Sequence, residues 1–264
     1  MLIVWYTLLN NLEEAIYMND IIKELYNRKS IRVFTDQIIT KADKELIIDS
    51  AIQAPTAGNQ TMYTILDITN QECLEKLAKS CDNQPFIAKA KMALIFCADY
   101  QKWIDAFSIV EENPRLPGVG ELLLACNDAL IAAQNAVVAA ESLGIGSCYI
   151  GDMMEHFEYH KDLLNLPQYV FPVTMLVFGY PTEQQKNREK PKRFDKKYLV
   201  HENSYQTLNQ AQLRSMFETR AALTPAIEFN FEKWMKAFYQ RKYNSDFAKE
   251  MTRSVGEYIK QFER

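Results

Sequence analysis

The sequence has little of what disulfide-rich, zinc-stapled or nucleic-acid-binding proteins need. Its five cysteines are scattered and include no C-x-x-C pair, which argues for a reducing compartment rather than a disulfide scaffold or structural zinc site. The net charge of −4 offers no global positive field, so any anion site must be local. No apolar run is expected to span a bilayer, and residues 1–12 lack the basic region of a signal peptide. We expect a cytoplasmic protein that binds neither nucleic acid nor membrane.

What the 264 residues do contain is apolar material, at 48%, which is ample for a buried core. Residues 118–143 are apolar on nearly all sides, so this expected helix should be buried, partly in a subunit contact. Further helices are expected after Asp20, after the capping box that begins at Thr40, and over 71–80 and 155–164. The expected strands cover 63–68, 92–98, 147–150 and 172–178.

The domain organisation follows from the absence of repeats and linkers. We expect one α+β domain over residues 18–264, of which 205–264 form a helical C-terminal extension. Because Met18 would also make a natural chain start, residues 1–17 are treated as an N-terminal appendage, and no function is assigned to them.

The first local feature is a cationic cluster of Arg28, Lys29 and Arg32, with the hydroxyl of Ser30 between them. These residues follow the short helix that Asp20 is expected to cap. Clustered cations with a hydroxyl suit a phosphate, which needs both charge and hydrogen-bond donors. Because short basic runs are commonly solvated surface, the cluster alone leaves both interpretations open.

Three other segments could contact a ligand. Residues 55–60 offer a hydroxyl, an amide and a glycine-relaxed backbone, which suits a planar heterocycle, although a plain turn has the same composition. Residues 190–193 form a second cationic cluster, for which the alternative is a solvated loop. Residues 149–152 place a glycine after a buried strand, where the backbone can approach a ligand closely.

Several familiar sites are absent from the sequence. Gly144 and Gly146 begin a G-x-G pattern, but Tyr149 occupies the third glycine position and the pair follows a helix, so a Rossmann site is not expected. His156 and His160 lack a third ligand at a recognisable spacing, and we expect no metal site. No nucleophile–base arrangement stands out. If the protein is an enzyme, a bound cofactor should therefore carry the chemistry.

In their order along the chain, seven motifs resemble the flavin-dependent nitroreductase family. The resemblance is greatest to its branch of NADPH:FMN oxidoreductases, also called oxygen-insensitive major nitroreductases. The motifs span residues 28–34 (RKSIRVF), 54–60 (APTAGNQ), 95–100 (IFCADY), 133–144 (AQNA and AAESLG), 149–151 (YIG), 190–192 (KPK) and 199–205 (LVHENSY). The last of these is particular to this branch.

The resemblance implies a nitroreductase-like fold, with a central, mostly antiparallel sheet flanked by helices, in an intertwined homodimer that holds two FMN molecules. It assigns the phosphate and ribityl chain of FMN to the first cluster, and the flavin ring to the loop at 55–59 of the other subunit and to the segment 149–151. The cofactor residues that it implies are Arg28, Lys29, Ser30, Arg32, Pro55, Thr56, Ala57, Asn59, Gln84, Tyr149, Ile150, Gly151, Lys190 and Lys192, with Arg220 for the NADPH phosphate.

The implied activity is a ping-pong oxidoreductase reaction. NAD(P)H would give hydride to FMN, which then reduces small-molecule acceptors such as nitroaromatics, quinones or free flavin. A reductase with one narrow acceptor, or a flavin-binding carrier or sensor without turnover, is the alternative. The nearby Lys190 would stabilise the negative charge that the ring gains on reduction.

The sequence departs from the pattern of this branch at three places. Lys192 stands where the branch usually has arginine, and Asp152 replaces a small residue and adds negative charge near the ring. Arg220 matches one of the arginines for the NADPH 2′-phosphate, but an apolar segment follows it instead of a polar loop. The resemblance therefore leaves the choice between NADPH and NADH open.

Overall fold

Two antiparallel strands, β2 (Met92–Asp99) and β4 (Val170–Gly179), form the centre of the fold, and every residue in them is buried. They are flanked by β1 (Tyr63–Asp67) and β3 (Gly146–Ile150), which gives an antiparallel sheet in the order β1-β2-β4-β3. This computed structural model describes residues 19–224 and 229–263. The predicted appendage at 1–17 lies outside the described residues.

Helices of the first compact unit cover both faces of this sheet, in agreement with the α+β class that the sequence predicts. Each predicted strand agrees with the observed strand to within two residues at either end. Short 3-10 turns occur at Ala57–Asn59, Gly151–Met154 and Lys196–Tyr198. The described helices are α1 (Asp20–Asn27), α2 (Lys41–Ile52), α3 (Gln71–Ser80), α4 (Gln101–Phe107), α5 (Val119–Ser142), α6 (Phe157–Leu163), α7 (Glu183–Asn187), α8 (Gln210–Ala222), α9 (Phe231–Lys242) and α10 (Asp246–Lys260).

The two faces of the sheet are covered by different elements because side chains alternate along β2. Leu94 and Phe96 belong to the cluster that includes the buried alanines of α5, while Ile95 packs in a second cluster with Leu77 of α3. Each large side chain that is fully buried in this way contributes roughly 1.5–3 kcal/mol. A bulge opposite Phe96 leaves Val173 without a partner in the ladder.

Helix α5 has the length and composition of a membrane-crossing helix, which the sequence analysis did not expect. In this fold its alanines pack on the sheet, and its Asp128 is only 2% exposed. The core helix of a soluble protein has the same length and composition. The prediction that this helix is buried is confirmed for that face.

Two local predictions are wrong. Asp20 does not cap α1, because Asn19 is the cap and its Oδ1 accepts a hydrogen bond of 2.9 Å from the amide of Ile22. The helix expected over 155–164 begins only at Phe157, because His156 adopts a left-handed conformation with φ of 52°. His160 on this helix is buried, with Nε2 at 2.7 Å from Ser80 Oγ, and burial lowers the pKa of its imidazole.

The described chain separates into two compact units. The first includes the sheet and runs up to Arg188, and the residues from Arg253 onward return to it. The second is Glu189–Thr252, which contains α8 and α9. A single domain over residues 18–264 with a helical extension from residue 205 stays a prediction.

The segment that carries the cationic cluster is bound to the sheet through its apolar side chains and its backbone. Ile31 donates from its amide to Ser147 O at 2.9 Å, and Thr35 donates to Tyr180 O at 2.8 Å. The side chain of Ile31 lies against Gly146, and the ring of Phe34 lies against Gly179. These two glycines pair with each other across β3 and β4, so the sheet has room at this edge for the incoming segment.

A methyl group at Gly146 tests this packing. The added Cβ would lie 2.5 Å from Cγ1 of Ile31, so we expect Gly146→Ala to lower the free energy of unfolding by about 1–3 kcal/mol, measured in urea. Gly120→Ala in α5 is the control, because nothing lies within 4 Å of its added carbon. An unchanged stability of Gly146→Ala would contradict the contact between Ile31 and β3.

Candidate functional site

Arg28 is the residue of the cationic cluster with two buried donors that have no hydrogen-bond partner among the described residues. It ends α1, and its guanidinium carbon lies 5.6 Å from the centroid of the Tyr149 ring. Its Nε and Nη2 atoms are buried and have no hydrogen-bond partner among the described residues. Because buried N–H groups that stay unpaired are costly, these two donors favour an additional acceptor close to Arg28.

The other cations of the cluster have different surroundings. The ammonium of Lys29 donates to the carbonyls of Lys186 and Arg188, both at 2.5 Å, at the end of α7. Arg188 in turn donates from Nη2 to the carbonyl of Ser30. Arg32 is exposed and lies over the Phe86 ring at 5.9 Å, without a salt bridge in the described part of the chain. Lys29 therefore bonds to the backbone, while Arg28 and Arg32 contact aromatic rings.

Tyr149 connects the cluster to α5. Its hydroxyl donates to Gln134 Oε1 at 3.2 Å, and burial raises its pKa to about 12 against the opposing charge of Arg28. The side chain of Ile150 is buried in the core, so only its backbone can contact a ligand. Gly151 is exposed, and a Cβ there would meet nothing within 4 Å. The end of β3 thus offers a ring edge and an open backbone beside Arg28.

Gln84 and Asp152 form a polar pair next to this strand end. Gln84 Nε2 donates to Asp152 Oδ2 at 3.1 Å and to the carbonyl of Cys81 at 2.9 Å. Phe86, which lies under Arg32, follows Gln84 by two residues in the same loop. The structure therefore brings the predicted residues at 28–32, 84 and 149–151 together on one side of the first unit.

The loop at 55–60 is held by a buried carboxylate that the sequence analysis missed. Asp128 of α5 accepts hydrogen bonds from the amides of Ala57 at 2.9 Å and Met62 at 3.2 Å. Thr56 Oγ1 accepts a further bond of 3.2 Å from the amide of Thr61. The signal in the sequence was a lone acidic residue on the apolar face of a long helix, since such a group needs donors nearby.

This loop lies away from the cationic cluster within one chain. Asp128 holds the loop, and Gln134, six residues further along α5, holds Tyr149. Six residues correspond to about 9 Å of rise and to directions about 120° apart around a helix. The two groups of residues assigned to the flavin therefore contact different faces of α5. Pro55 and Asn59 are both exposed.

The second unit contains the remaining predicted residues. Lys192 and Arg220 line one cavity of about 390 Å³, together with Phe217, Phe229 and Trp234. The guanidinium of Arg220 lies 3.9 Å from the centroid of the Phe194 ring, and burial lowers its pKa. Lys190 is half-buried and does not line this cavity. Two cations beside aromatic rings suit an anionic ligand with a flat ring.

The fold is of the α+β class, and comparison with known proteins identifies the family. The family model described as "Nitroreductase family" matches residues 25–180, so the chain belongs to the nitroreductase family. This confirms the family that the seven motifs predict.

The chain is similar to several characterised members. It is 29% identical to an FMN reductase [NAD(P)H] of Bacillus subtilis over 91% of each chain. It is 33% identical to an oxygen-insensitive NADPH nitroreductase of Salmonella typhimurium, covering 74% of this chain and 79% of that one. Among solved structures, the NADPH:FMN oxidoreductase of Vibrio harveyi complexed with NAD+ aligns with a TM-score of 0.76 at 26% identity, over 91% and 98% of the two chains.

Replacing Asp128 by asparagine tests the anchoring of the loop. An asparagine can accept one of the two amide N–H groups, but its own NH₂ would face the other, so we expect Asp128→Asn to lose about 1–3 kcal/mol of unfolding free energy. Urea denaturation measures this loss. Asp49→Asn, at an exposed position of α2, is the control. A loss no larger than that of the control would contradict the role of Asp128.

Proposed function

We propose that the protein is an FMN-dependent NAD(P)H oxidoreductase that reduces nitroaromatics, quinones or free flavin. The observation that carries the proposal is the pair of unpartnered buried donors on Arg28, in the same short segment as the exposed Arg32. A phosphate dianion fits this pair in charge and in hydrogen-bonding capacity. The characterised relatives named above, an FMN reductase and an NADPH nitroreductase, support the same cofactor and activity.

The cofactor contacts that we propose divide by chemistry. Arg28, Arg32 and the hydroxyl of Ser30 bind the phosphate, and Lys29 keeps the neighbouring carbonyls in place. Tyr149 and the backbone of Ile150 and Gly151 contact the ring, and Gln84 contacts its edge. When bound, FMN supplies the hydride chemistry, which explains why the protein needs no nucleophile of its own. The remaining proposed contacts are Pro55, Thr56, Ala57 and Asn59 in the anchored loop, with Lys190 and Lys192 in the second unit.

We also propose that the cavity at Arg220 receives the nicotinamide co-substrate. Arg220 and Lys192 offer positive charge, and Phe229 and Trp234 offer ring surfaces. This combination suits the 2′-phosphate and adenine of NADPH, so NADPH should be the better hydride donor. The five cysteines are free. Because disulfides are rare in a reducing compartment, we propose that the protein is cytoplasmic.

A homodimer would bring the two groups of flavin residues together. The anchored loop and the cationic cluster contact different faces of α5, so the loop is better placed to serve a second copy. An apolar stripe on the same helix supports this proposal, since Leu123 is 60% exposed and Leu130 and Ile131 are each 42% exposed. A second copy that covers this stripe would remove apolar area from water.

Removing both arginines tests the phosphate assignment. We expect Arg28→Ala with Arg32→Ala to weaken FMN binding at least about 100-fold, because each charge-assisted contact contributes roughly 1.5–3 kcal/mol. Fluorescence titration of the protein with FMN gives the affinity. Lys23→Ala in α1 removes an exposed cation of the neighbouring helix and should leave the affinity unchanged. Undiminished affinity in the double variant would contradict the assignment.

Turnover separates an oxidoreductase from a carrier or sensor. The purified protein is expected to show a flavin absorbance band and to oxidise NADPH in the presence of a quinone. A flavin-loaded protein that oxidises neither NADPH nor NADH with any acceptor would be a carrier or sensor. A protein that takes up no added FMN would overturn both functions.

The oligomeric state tests the role of the apolar stripe. We expect the wild-type protein to sediment as a dimer and Leu130→Asp to sediment as a monomer, because a charge on the stripe would have to be desolvated in the interface. Ile109→Asp is the control, since Ile109 is 84% exposed in the segment that follows α4. A monomeric wild-type protein, or a Leu130→Asp variant that stays dimeric, would contradict the proposal.

A further inference from the structure

The pairing of Gln84 with Asp152 fixes which end of the Gln84 amide faces outward. Its Nε2 donates one hydrogen bond to Cys81 O at 2.9 Å and one to Asp152 Oδ2 at 3.1 Å. An amide nitrogen carries two hydrogens, so both are used. Only Oε1 remains for another partner, and that atom can accept but cannot donate.

The backbone around this pair is also fixed. The backbone N–H of Gln84 donates to Ala78 O at 2.8 Å, and the backbone carbonyl of Gln84 accepts from the backbone N–H of Ile87 at 3.1 Å. Asp152 lies in the 3-10 turn that follows β3, where its carbonyl accepts a bond of 3.0 Å from the amide of Glu155. These bonds fix the backbone from which the two side chains extend, and the side-chain amide of Gln84 is oriented by its bonds to Cys81 O and Asp152 Oδ2.

Asp152 also places a negative charge next to Gln84. It is half-buried and forms no salt bridge among the residues that the structure describes. Its charge reaches the neighbouring thiol of Cys81, where it adds to burial in raising the pKa to about 12. A charge with this reach will also act on a redox ring held at Gln84, since reduction makes that ring more negative.

We propose that Asp152 is a positioning residue that locks Gln84 as a hydrogen-bond acceptor for the flavin ring edge and makes the reduction potential of the bound FMN more negative. The inference rests on the proposed function, because it needs FMN at Gln84. It predicts two separable effects, one from the hydrogen bond and one from the charge. Two substitutions at the same position separate them.

Asp152→Asn removes the charge but keeps an oxygen that can accept from Gln84 Nε2. We expect it to bind FMN with an affinity within about twofold of wild type and to shift the midpoint potential to a more positive value, measured by equilibration with a reference dye. Asp152→Ala also releases the amide, so its affinity for FMN should fall several-fold, measured by fluorescence titration. Asp162→Asn, which removes an exposed carboxylate from α6, is the control for both measurements.

The outcomes distinguish a failure of this inference from a failure of the proposed function. If the wild-type protein takes up no FMN, the proposed function fails and the inference fails with it. If Asp152→Asn binds FMN with an unchanged potential, the inference alone is overturned. Loss of FMN binding by a folded Asp152→Asn protein would overturn it as well, because neutralising a carboxylate beside an anionic cofactor should not weaken binding.

Discussion

The burial of β2 and β4 on both faces is the constraint on which the rest of this structure depends. A sheet without a solvent face must be covered twice, and the chain meets this need with α5 on one side and the cluster around α3 on the other. The alanines of α5 pack on the sheet, and the buried carboxylate of Asp128 on the same helix needs hydrogen-bond donors nearby. Asp128 meets this condition with two backbone amides, and the loop at 55–60 takes its shape from them.

Arginines held over aromatic rings recur in the proposed sites. Arg28 lies beside Tyr149, Arg32 over Phe86 and Arg220 over Phe194. A ring contact positions a guanidinium through its face and leaves the N–H edge for a ligand. A carboxylate partner would have neutralised the charge. Lysine lacks this planar geometry, and in the same cluster Lys29 bonds to backbone carbonyls instead.

The sequence predicted the helices and strands that have a periodic apolar pattern. It did not predict local features, such as a helix cap or the shape of a loop, that depend on one side chain. The strands and α5 have long, consistent apolar patterns, so their ends were accurate. The cap of α1 was assigned to Asp20 although Asn19 beside it is equally suitable, and only the hydrogen bond to Ile22 distinguishes them. The partner of Asp128 lies 71 positions away in the chain, a separation that no local pattern encodes. The motifs identified the cluster at 28–32, but they could not show that Lys29 serves the backbone.

The facing glycines of β3 and β4 have a consequence for how this protein can vary. The side chains of Ile31 and Phe34 occupy the space that side chains at Gly146 and Gly179 would fill, so the cationic segment packs tightly against this edge of the sheet. A designer who transplants the segment at 28–34 into another scaffold must therefore carry both glycines with it. Substitution during evolution is limited in the same way. A larger residue in place of either glycine would require a smaller residue at the position that packs against it.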